Sequence, residues 1–468
     1  MFHVKHSAPH VLLVNPWVTD FAAYNYWIKP LRVFRIGGLL RHAGGQITLI
    51  DCLDFYDKKK IYGDGKFLKV SVQKPTPLRP IPRKYSQYGM PEDLFVSQLT
   101  SIERKPDAIC VTSGMTYWYP GLFKAIQIMK RLLKGVPIFL GGIYATLCYE
   151  HAREFSGADF VLPGNTESNI LCLLSNVIDL PFSSNSEPMD TGDPMLADCR
   201  PRNTMAVSES GKRSSFLPYP CFDLYSQLEY VCILTSRGCP LRCSYCASSL
   251  LNEDFARRDP QGVIDEIAYW TRGYQVRNVV FYDDMLLLDP YTHIIPILKG
   301  VKQKGVGCNF HTPNGLLVRE IDHEVADFLF RSSFKTIRLG FETSDQNAQI
   351  RTGGKVTNEE FQRAVRNLKK AGFKEEDIGV YIMVGMPGQH VAEAEESIAY
   401  AREAGTRPMI VEYSPVPGTS LFNEAKKFSQ FDLENEPLFH NNSTLPCQWE
   451  GFTWTDLMRL KNKIRRDV

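Results

Sequence analysis

The chain has 468 residues, with 54 Lys and Arg against 52 Asp and Glu, for a formal charge of +2 at pH 7. That balance excludes a strongly basic nucleic-acid binder held by counterion release, and 44% hydrophobic with 23% charged residues excludes wholesale disorder or a fibrous repeat. No apolar run approaches the ~20 residues needed to span a bilayer, and the start at Met1 lacks the apolar core of a signal peptide, so a soluble cytoplasmic chain is expected.

In chain order, the apolar run Val11 to Val14, a helical stretch near Arg35 to His42 stopped by Gly44 and Gly45, and Ile47 to Ile50 ending in Asp51 read as strand, helix, strand. Residues 57–104 carry Lys58 to Lys60 and several prolines without clear periodicity, which predicts a long loop or insertion. Alternation resumes with Ala108 to Thr112, a helix near Phe123 to Leu133, the strand Pro137 to Leu140, the Gly141-Gly142 turn, a further helix and Phe160 to Leu162. Strands alternating with helices predict a doubly wound parallel sheet over 1–180, with ligands beyond the carboxyl ends of its strands. A stretch rich in Ser, Pro, Asn and Asp follows, and 181–225 is expected to be a linker.

Six strand-like runs come next, each followed by a helical pattern: Val231 to Thr235, Val279 to Tyr282, Gly307 to Phe310, Thr336 to Gly340, Gly379 to Val384 and Met409 to Tyr413. Six βα units suit an open, partial barrel over 226–427, with its chemistry at the strand carboxyl ends. The remainder, 428–468, is expected to be a packing extension or lid.

Directly after the first of these strands stands Arg237-Gly-Cys239-Pro-Leu-Arg-Cys243-Ser-Tyr-Cys246. Three thiolates at these spacings on a tight loop can converge on an iron–sulfur cluster and leave one iron open. A zinc site wants a fourth ligand, and no Cys or His stands at the usual short spacing nearby. Three ordinary buried thiols are the competing reading. The other nine cysteines show no second trio and read as small buried apolar residues.

This segment resembles the C-x3-C-x2-C signature of radical S-adenosylmethionine (SAM) enzymes, with the aromatic Tyr245 before the last cysteine. The resemblance implies a 4Fe-4S cluster on Cys239, Cys243 and Cys246, whose open iron chelates SAM and whose electron cleaves it to methionine and a 5′-deoxyadenosyl radical. It also implies cofactor contacts from Tyr245, from the paired carboxylates Asp283 and Asp284, and from Glu342 in Gly340-Phe-Glu342-Thr-Ser344. Arg351 would pair with the cofactor carboxylate, and Gly385 in Val384-Gly385-Met-Pro-Gly388 would let backbone approach the adenine. Helix-capping aspartates, a solvated Arg351 and a purely structural glycine turn are the plain alternatives. The segment Pro417-Gly418-Thr-Ser-Leu421 is similar to a further motif of the same subfamilies.

An α/β domain ahead of such a barrel is similar to the Rossmann-like cobalamin-binding domain of the cobalamin-dependent radical SAM subfamily. Val11 to Pro16, Ile36 to Leu40, Ser113-Gly114, Gly141 to Ala145 and Asp159 to Glu167 carry that likeness. The D-x-H-x-x-G histidine motif is missing: the loop Asn15 to Trp27 offers Asp20 but no His, and Tyr144 stands where the family usually has His. Tyr117, Trp118 and Tyr119 are candidates to floor the macrocycle or to pack as core. The resemblance implies a cobalamin-dependent methylation of a small metabolite, with a flavodoxin- or ferredoxin-type electron donor and no nucleic-acid or membrane partner. A cobalamin-independent radical enzyme and a non-catalytic iron–sulfur protein are the alternatives.

Overall fold

Val11, Leu12, Leu13 and Val14 are each 0% exposed, as a strand covered on both faces requires. In the computed structural model, which describes residues 8–58, 65–164, 167–178, 218–252 and 254–466, this run lies in β1 (His10–Asn15). One structural unit extends to Ser226 and a second begins at Gln227. In chain order the first unit adds β2 (Val18–Asp20), β3 (Gln46–Asp51), β4 (Tyr56–Lys58), β5 (Lys66–Phe67), β6 (Lys69–Ser71), β7 (Ser86–Tyr88), β8 (Ala108–Ser113), β9 (Ile138–Gly142) and β10 (Phe160–Val161).

The main sheet is all parallel, in the order β3-β1-β8-β9-β10. Chain order reverses between β1 and β8, which makes their carboxyl ends the expected ligand crevice. The stretch 57–104, expected to be a loop, contains β5, β6, β7 and the helix Glu92–Thr100. β6 and β7 join β2 in a small antiparallel sheet.

Helix Leu31–His42 buries Leu31, Val33, Phe34, Ile36 and Leu40, together with the pair Gly37 and Gly38. A methyl group at Gly37 would overlap Cys221 Sγ, and one at Gly38 would overlap the Tyr219 carbonyl. The glycines thus let residues 219–221 lie directly on the helix. The same segment is stitched down by Cys221 N–H donating to Phe34 O at 3.0 Å and by Arg41 gripping both oxygens of Asp223 at 3.0 and 2.8 Å. Tyr225 donates its hydroxyl to the buried Asp51 at 2.5 Å. Of the expected linker, 181–217 lies outside the described residues, and 218–225 packs on the first unit.

The second unit is built on β11 (Tyr230–Ile233), the short pair β12 (Ser236–Arg237) and β13 (Ala256–Arg257), β14 (Asn278–Phe281), β15 (Asn309–His311), β16 (Phe334–Glu342), β17 (Ile378–Val384) and β18 (Arg407–Glu412). Its six long-range strands pair in parallel and in chain order, β11-β14-β15-β16-β17-β18, with β11 and β18 left as edges. This is the expected α/β architecture of a doubly wound sheet followed by an open (β/α)6 barrel.

The helices between the strands are amphipathic for legible reasons. Asn358–Ala371 starts in a capping box of Thr357 and Glu360, buries Phe361, Ala364, Val365 and Leu368, and stops at Gly372 with φ 115°. Phe361 stacks on Phe341 of β16 with ring centroids 4.2 Å apart. Across the sheet, Phe281, Phe310 and Phe334 form a ring ladder with adjacent centroids at 5.3 Å.

A polar knot sits within this sheet. His311 is fully buried, with Nδ1 3.0 Å from Thr336 Oγ1 and Nε2 3.1 Å from Asn278 Oδ1. Burial, reinforced by Lys335 and Arg338, pushes its pKa down to about 4. A folded value below the unfolded one gives a stabilisation that is full above the unfolded pKa and is lost as the pH falls toward 4. Between pH 7 and 5 the cluster-free chain should therefore lose about 2 kcal/mol of unfolding free energy through this group. Urea unfolding at the two pH values, compared with His311→Gln, checks this; an equal acid loss in both proteins would reject the assignment.

Candidate active site

β11 leads into Thr235 and Ser236, and one carboxylate gathers both. Asp283 Oδ1 accepts from Thr235 N–H at 3.0 Å, Thr235 Oγ1 at 2.7 Å, Ser236 N–H at 2.6 Å and Ser236 Oγ at 2.7 Å, while Oδ2 is 3.1 Å from Thr235 N. Asp283 is buried, and burial raises its pKa against the pull of these donors. The sequence reading placed it on the cofactor; the structure places it beneath the cysteine loop, holding the loop's entry.

The loop is braced on its other sides as well. The β12–β13 pair closes its base. Gly238, at φ 78°, leaves no room for a side chain, because a Cβ there would stand 2.6 Å from Asp254 O. Ser244 N–H donates to Thr352 O at 3.1 Å, and Leu421 N–H donates to Ser244 O at 2.9 Å. Segments after β16 and β18 thereby fix the middle of the trio.

Cys239 and Cys243 are half-buried and Cys246 is exposed. Burial raises all three thiol pKa values, that of Cys246 to about 11; Cys239 also feels Cys243, and Cys246 feels both of the others. Among the described residues no His, Cys, Asp and Glu group is set to chelate a single metal ion. A cubane cluster asks for something else, since its ligating sulfurs lie around the edge of a multi-iron body. Three thiols on one braced loop, with Cys246 feeling both others and no fourth ligand grouped with them among the described residues, fit that donor set. Bound iron would reverse the pKa shift by stabilising the thiolates.

Around the trio, Asp284 is exposed, accepts from Ser248 Oγ at 2.5 Å and acts electrostatically on Cys239 and Cys246. Tyr245 hydrogen-bonds the Cys243 thiol. Glu342 ends β16 at a bulge with φ 70°, a left-handed conformation that costs a residue with a long side chain. Its Oε1 lies 3.4 Å from Lys355 Nζ. Lys355 also acts on Cys239 and Cys243, and a methyl group at Gly340 would overlap its amine. Sequence reasoning missed Lys355; its signal was the Gly353-Gly354 turn before it, with Gly353 packed on the Cys243 backbone.

Arg351 is exposed at the end of helix Gln346–Arg351. Gly385 has φ 76°, as its strand-end turn requires, and its N–H donates to Gln389 Oε1 at 2.7 Å. Leu445 from the tail lies 2.9 Å from where its Cβ would be. Trp449 Nε1 donates to Gln389 O at 3.0 Å, and Val391 N–H to Gly451 O at 3.0 Å. The tail thus packs over the end of β17.

In the first unit, a cleft opens at the carboxyl ends of β8 and β9, lined by Ile36, Thr112, Gly141, Gly142, Leu162 and Gly164 among others. Gly142, at φ 102°, lies so close to Ser113 that a Cβ would stand 2.5 Å from its carbonyl. Asp20 accepts from Phe21 N–H and from Trp118 Nε1, at 2.6 and 2.9 Å. Tyr144 is fully buried, stacked on Tyr119, with its hydroxyl 2.5 Å from His151 Nδ1. Asn165 and the side chain of Glu167 lie outside the described residues.

The family description "Radical SAM superfamily" matches residues 233–401, from the end of β11 into the helix Val391–Glu403. Residues 233–401 thus carry a radical SAM domain. The chain's relatives extend the likeness beyond this radical SAM domain. An uncharacterized methyltransferase of Pyrococcus horikoshii is 24% identical over 80% of this chain and 79% of its own. The cytidylyl-2-hydroxyethylphosphonate methyltransferase of Streptomyces wedmorensis is 23% identical over 98% of this chain and 89% of its own. Among solved structures, the radical SAM methyltransferase TsrM of Kitasatospora setae, with cobalamin and a 4Fe-4S cluster bound, superposes with a TM-score of 0.63 at 16% identity, covering 90% of this chain and 75% of that one. That likeness carries the fold through both units.

Proposed function

We propose that the protein is a radical SAM enzyme that cleaves SAM reductively and, with cobalamin in its first unit, methylates an unactivated carbon of a small molecule. The observation that carries this is the braced trio Cys239, Cys243 and Cys246 with Glu342 and Lys355 beside it. When bound, a reduced 4Fe-4S cluster supplies the electron that splits SAM into methionine and a 5′-deoxyadenosyl radical, and methylcobalamin supplies a methyl group.

The chain's own residues prepare this chemistry. Asp283 sets the loop so that the three thiols share one side. Lys355 binds the SAM carboxylate, the role that the sequence gave to Arg351, because its amine lies among Glu342, Cys239 and Cys243. Glu342 and Asp284 accept from the amino or ribose groups of the cofactor, and Tyr245 holds Cys243. Gly385 shapes the turn at the adenine end rather than offering its N–H, which Gln389 already takes. Gly142, Gly164 and the apolar cleft walls hold the corrinoid tail. No histidine stands on the Asn15 to Trp27 loop, and Asp20 is engaged, so that loop offers the cobalt no protein ligand. The reductant is a flavodoxin- or ferredoxin-type protein, and the setting is a reducing cytoplasm; among the described residues no helix is long and apolar enough to cross a membrane.

Anaerobic purification after expression with cobalamin, followed by counts of iron and cobalt and an assay for 5′-deoxyadenosine with dithionite, tests the reading. Iron without cobalt, at every stage and after reconstitution, would leave a cobalamin-independent radical enzyme. Lys355→Met should weaken SAM binding roughly 10- to 100-fold, the loss of one charged hydrogen bond, at unchanged iron content. Equilibrium binding of SAM to the loaded protein reads this, and an unchanged affinity would return the carboxylate to Arg351.

A further inference from the structure

The cysteine loop and the turn after helix Gln346–Arg351 meet at the surface. Ser244 N–H bonds Thr352 O at 3.1 Å, and a Cβ on Gly353 would stand 3.1 Å from Cys243 Cα. On one side of this seam stands Arg242, next to Cys243; on the other stand Ile350 and Arg351. Both arginines are exposed, and neither makes a hydrogen bond or ion pair among the described residues. Ile350 is 75% exposed, the largest exposure of any large hydrophobic side chain described. The arginines at the end of β13 differ: Arg257 pairs with Asp289 at 3.5 Å and Arg258 with Glu266 at 2.6 Å.

Two uncompensated cations flanking a bare aliphatic side chain are the makings of a small interface. Arginine and apolar anchors are enriched where proteins bind, and opposite charge steers encounter. Electron-transfer encounters need little area, below roughly 1,200 Å² in total. We infer that Arg242, Ile350 and Arg351 form the docking surface for an acidic one-electron flavoprotein that reduces the centre on the cysteine loop. This rests on the cluster assignment above. In the transfer, the anionic flavin hydroquinone loses one electron and becomes the neutral semiquinone, the cluster gains that electron, and no atom changes hands.

The test compares the loaded wild-type chain with the double variant Arg242→Glu, Ile350→Asp, using a purified acidic flavodoxin as the probe. Oxidised flavodoxin should bind the wild type with an affinity that falls severalfold as salt rises from roughly 50 to 300 mM, where screening shortens from beyond 10 Å to under 8 Å. At low salt the double variant should bind at least about tenfold more weakly and lose most of that salt dependence. Cluster reduction by flavodoxin hydroquinone should slow in parallel, while dithionite reduces both proteins equally. Equal flavodoxin affinity in two iron-loaded proteins would overturn the docking surface. So would a matching loss of dithionite-driven reduction, which would put these residues in the site itself. A wild-type chain that takes up no iron would overturn the function on which this surface depends.

Discussion

In the triple variant Cys239→Ala, Cys243→Ala, Cys246→Ala, iron bound after anaerobic reconstitution falls from about four per chain to near zero, and 5′-deoxyadenosine formation falls to background. The size of the effect follows from the donor set. The proposed cluster would have three protein ligands and none in reserve, since the other nine cysteines form no second trio in the sequence. The fold should survive, because the loop is held by Asp283, Thr352 and Leu421 contacts that the substitutions leave in place, and the thiols are half-buried or exposed. A thermal midpoint close to the wild type's, together with lost iron, is the expected pair of results. Iron retained at the wild-type level would sink the cluster assignment. Substituting the fully buried Cys232 or Cys447 supplies the control, with iron kept in each folded protein.

Asp283→Ala is expected to destabilise the cluster-free chain by about 2–6 kcal/mol. The carboxylate accepts from the Thr235 and Ser236 amides and from both of their hydroxyls. The hydroxyls can turn toward other acceptors; the amides cannot. A buried donor left without a partner costs about 1–3 kcal/mol, and two such amides set the range. Because the same contacts aim the cysteine loop, iron retention should fall too, although no ligand is touched. Asp283→Asn, which keeps one acceptor oxygen, should lie between the two proteins in both measurements. Urea unfolding and iron content together check this: a loss under 1 kcal/mol with full iron would show that the loop is held from elsewhere.

The cysteine trio was legible because spacing alone brings its three thiols onto one loop, and the six barrel strands because each is an apolar-rich run followed by a helical pattern. What escaped depended on partners distant in the chain. Asp283 looked like a ligand residue at a strand end; that it clamps Thr235 and Ser236 follows from the parallel pairing of β11 with β14, which sets side by side residues 47 and 48 positions apart. Lys355 drew no reading from the sequence, because only the fold, through the bulge in β16, brings Glu342 to it. β6 and β7 were passed over because three-residue strands are too short to show a period, and β7 pairs with β2 almost 70 positions earlier. Gly385 was read for close approach by a ligand; in the fold, Gln389 and Leu445 occupy that approach.

The seating of Tyr219, Cys221, Asp223 and Tyr225 on the glycine face of helix Leu31–His42 bears on how this chain can vary. A side chain at Gly37 or Gly38 would have no room against Cys221 Sγ or the Tyr219 carbonyl, so a substitution at either position would lift residues 219–221 off the helix. The hydroxyl of Tyr225 would then lose its hold on the buried Asp51.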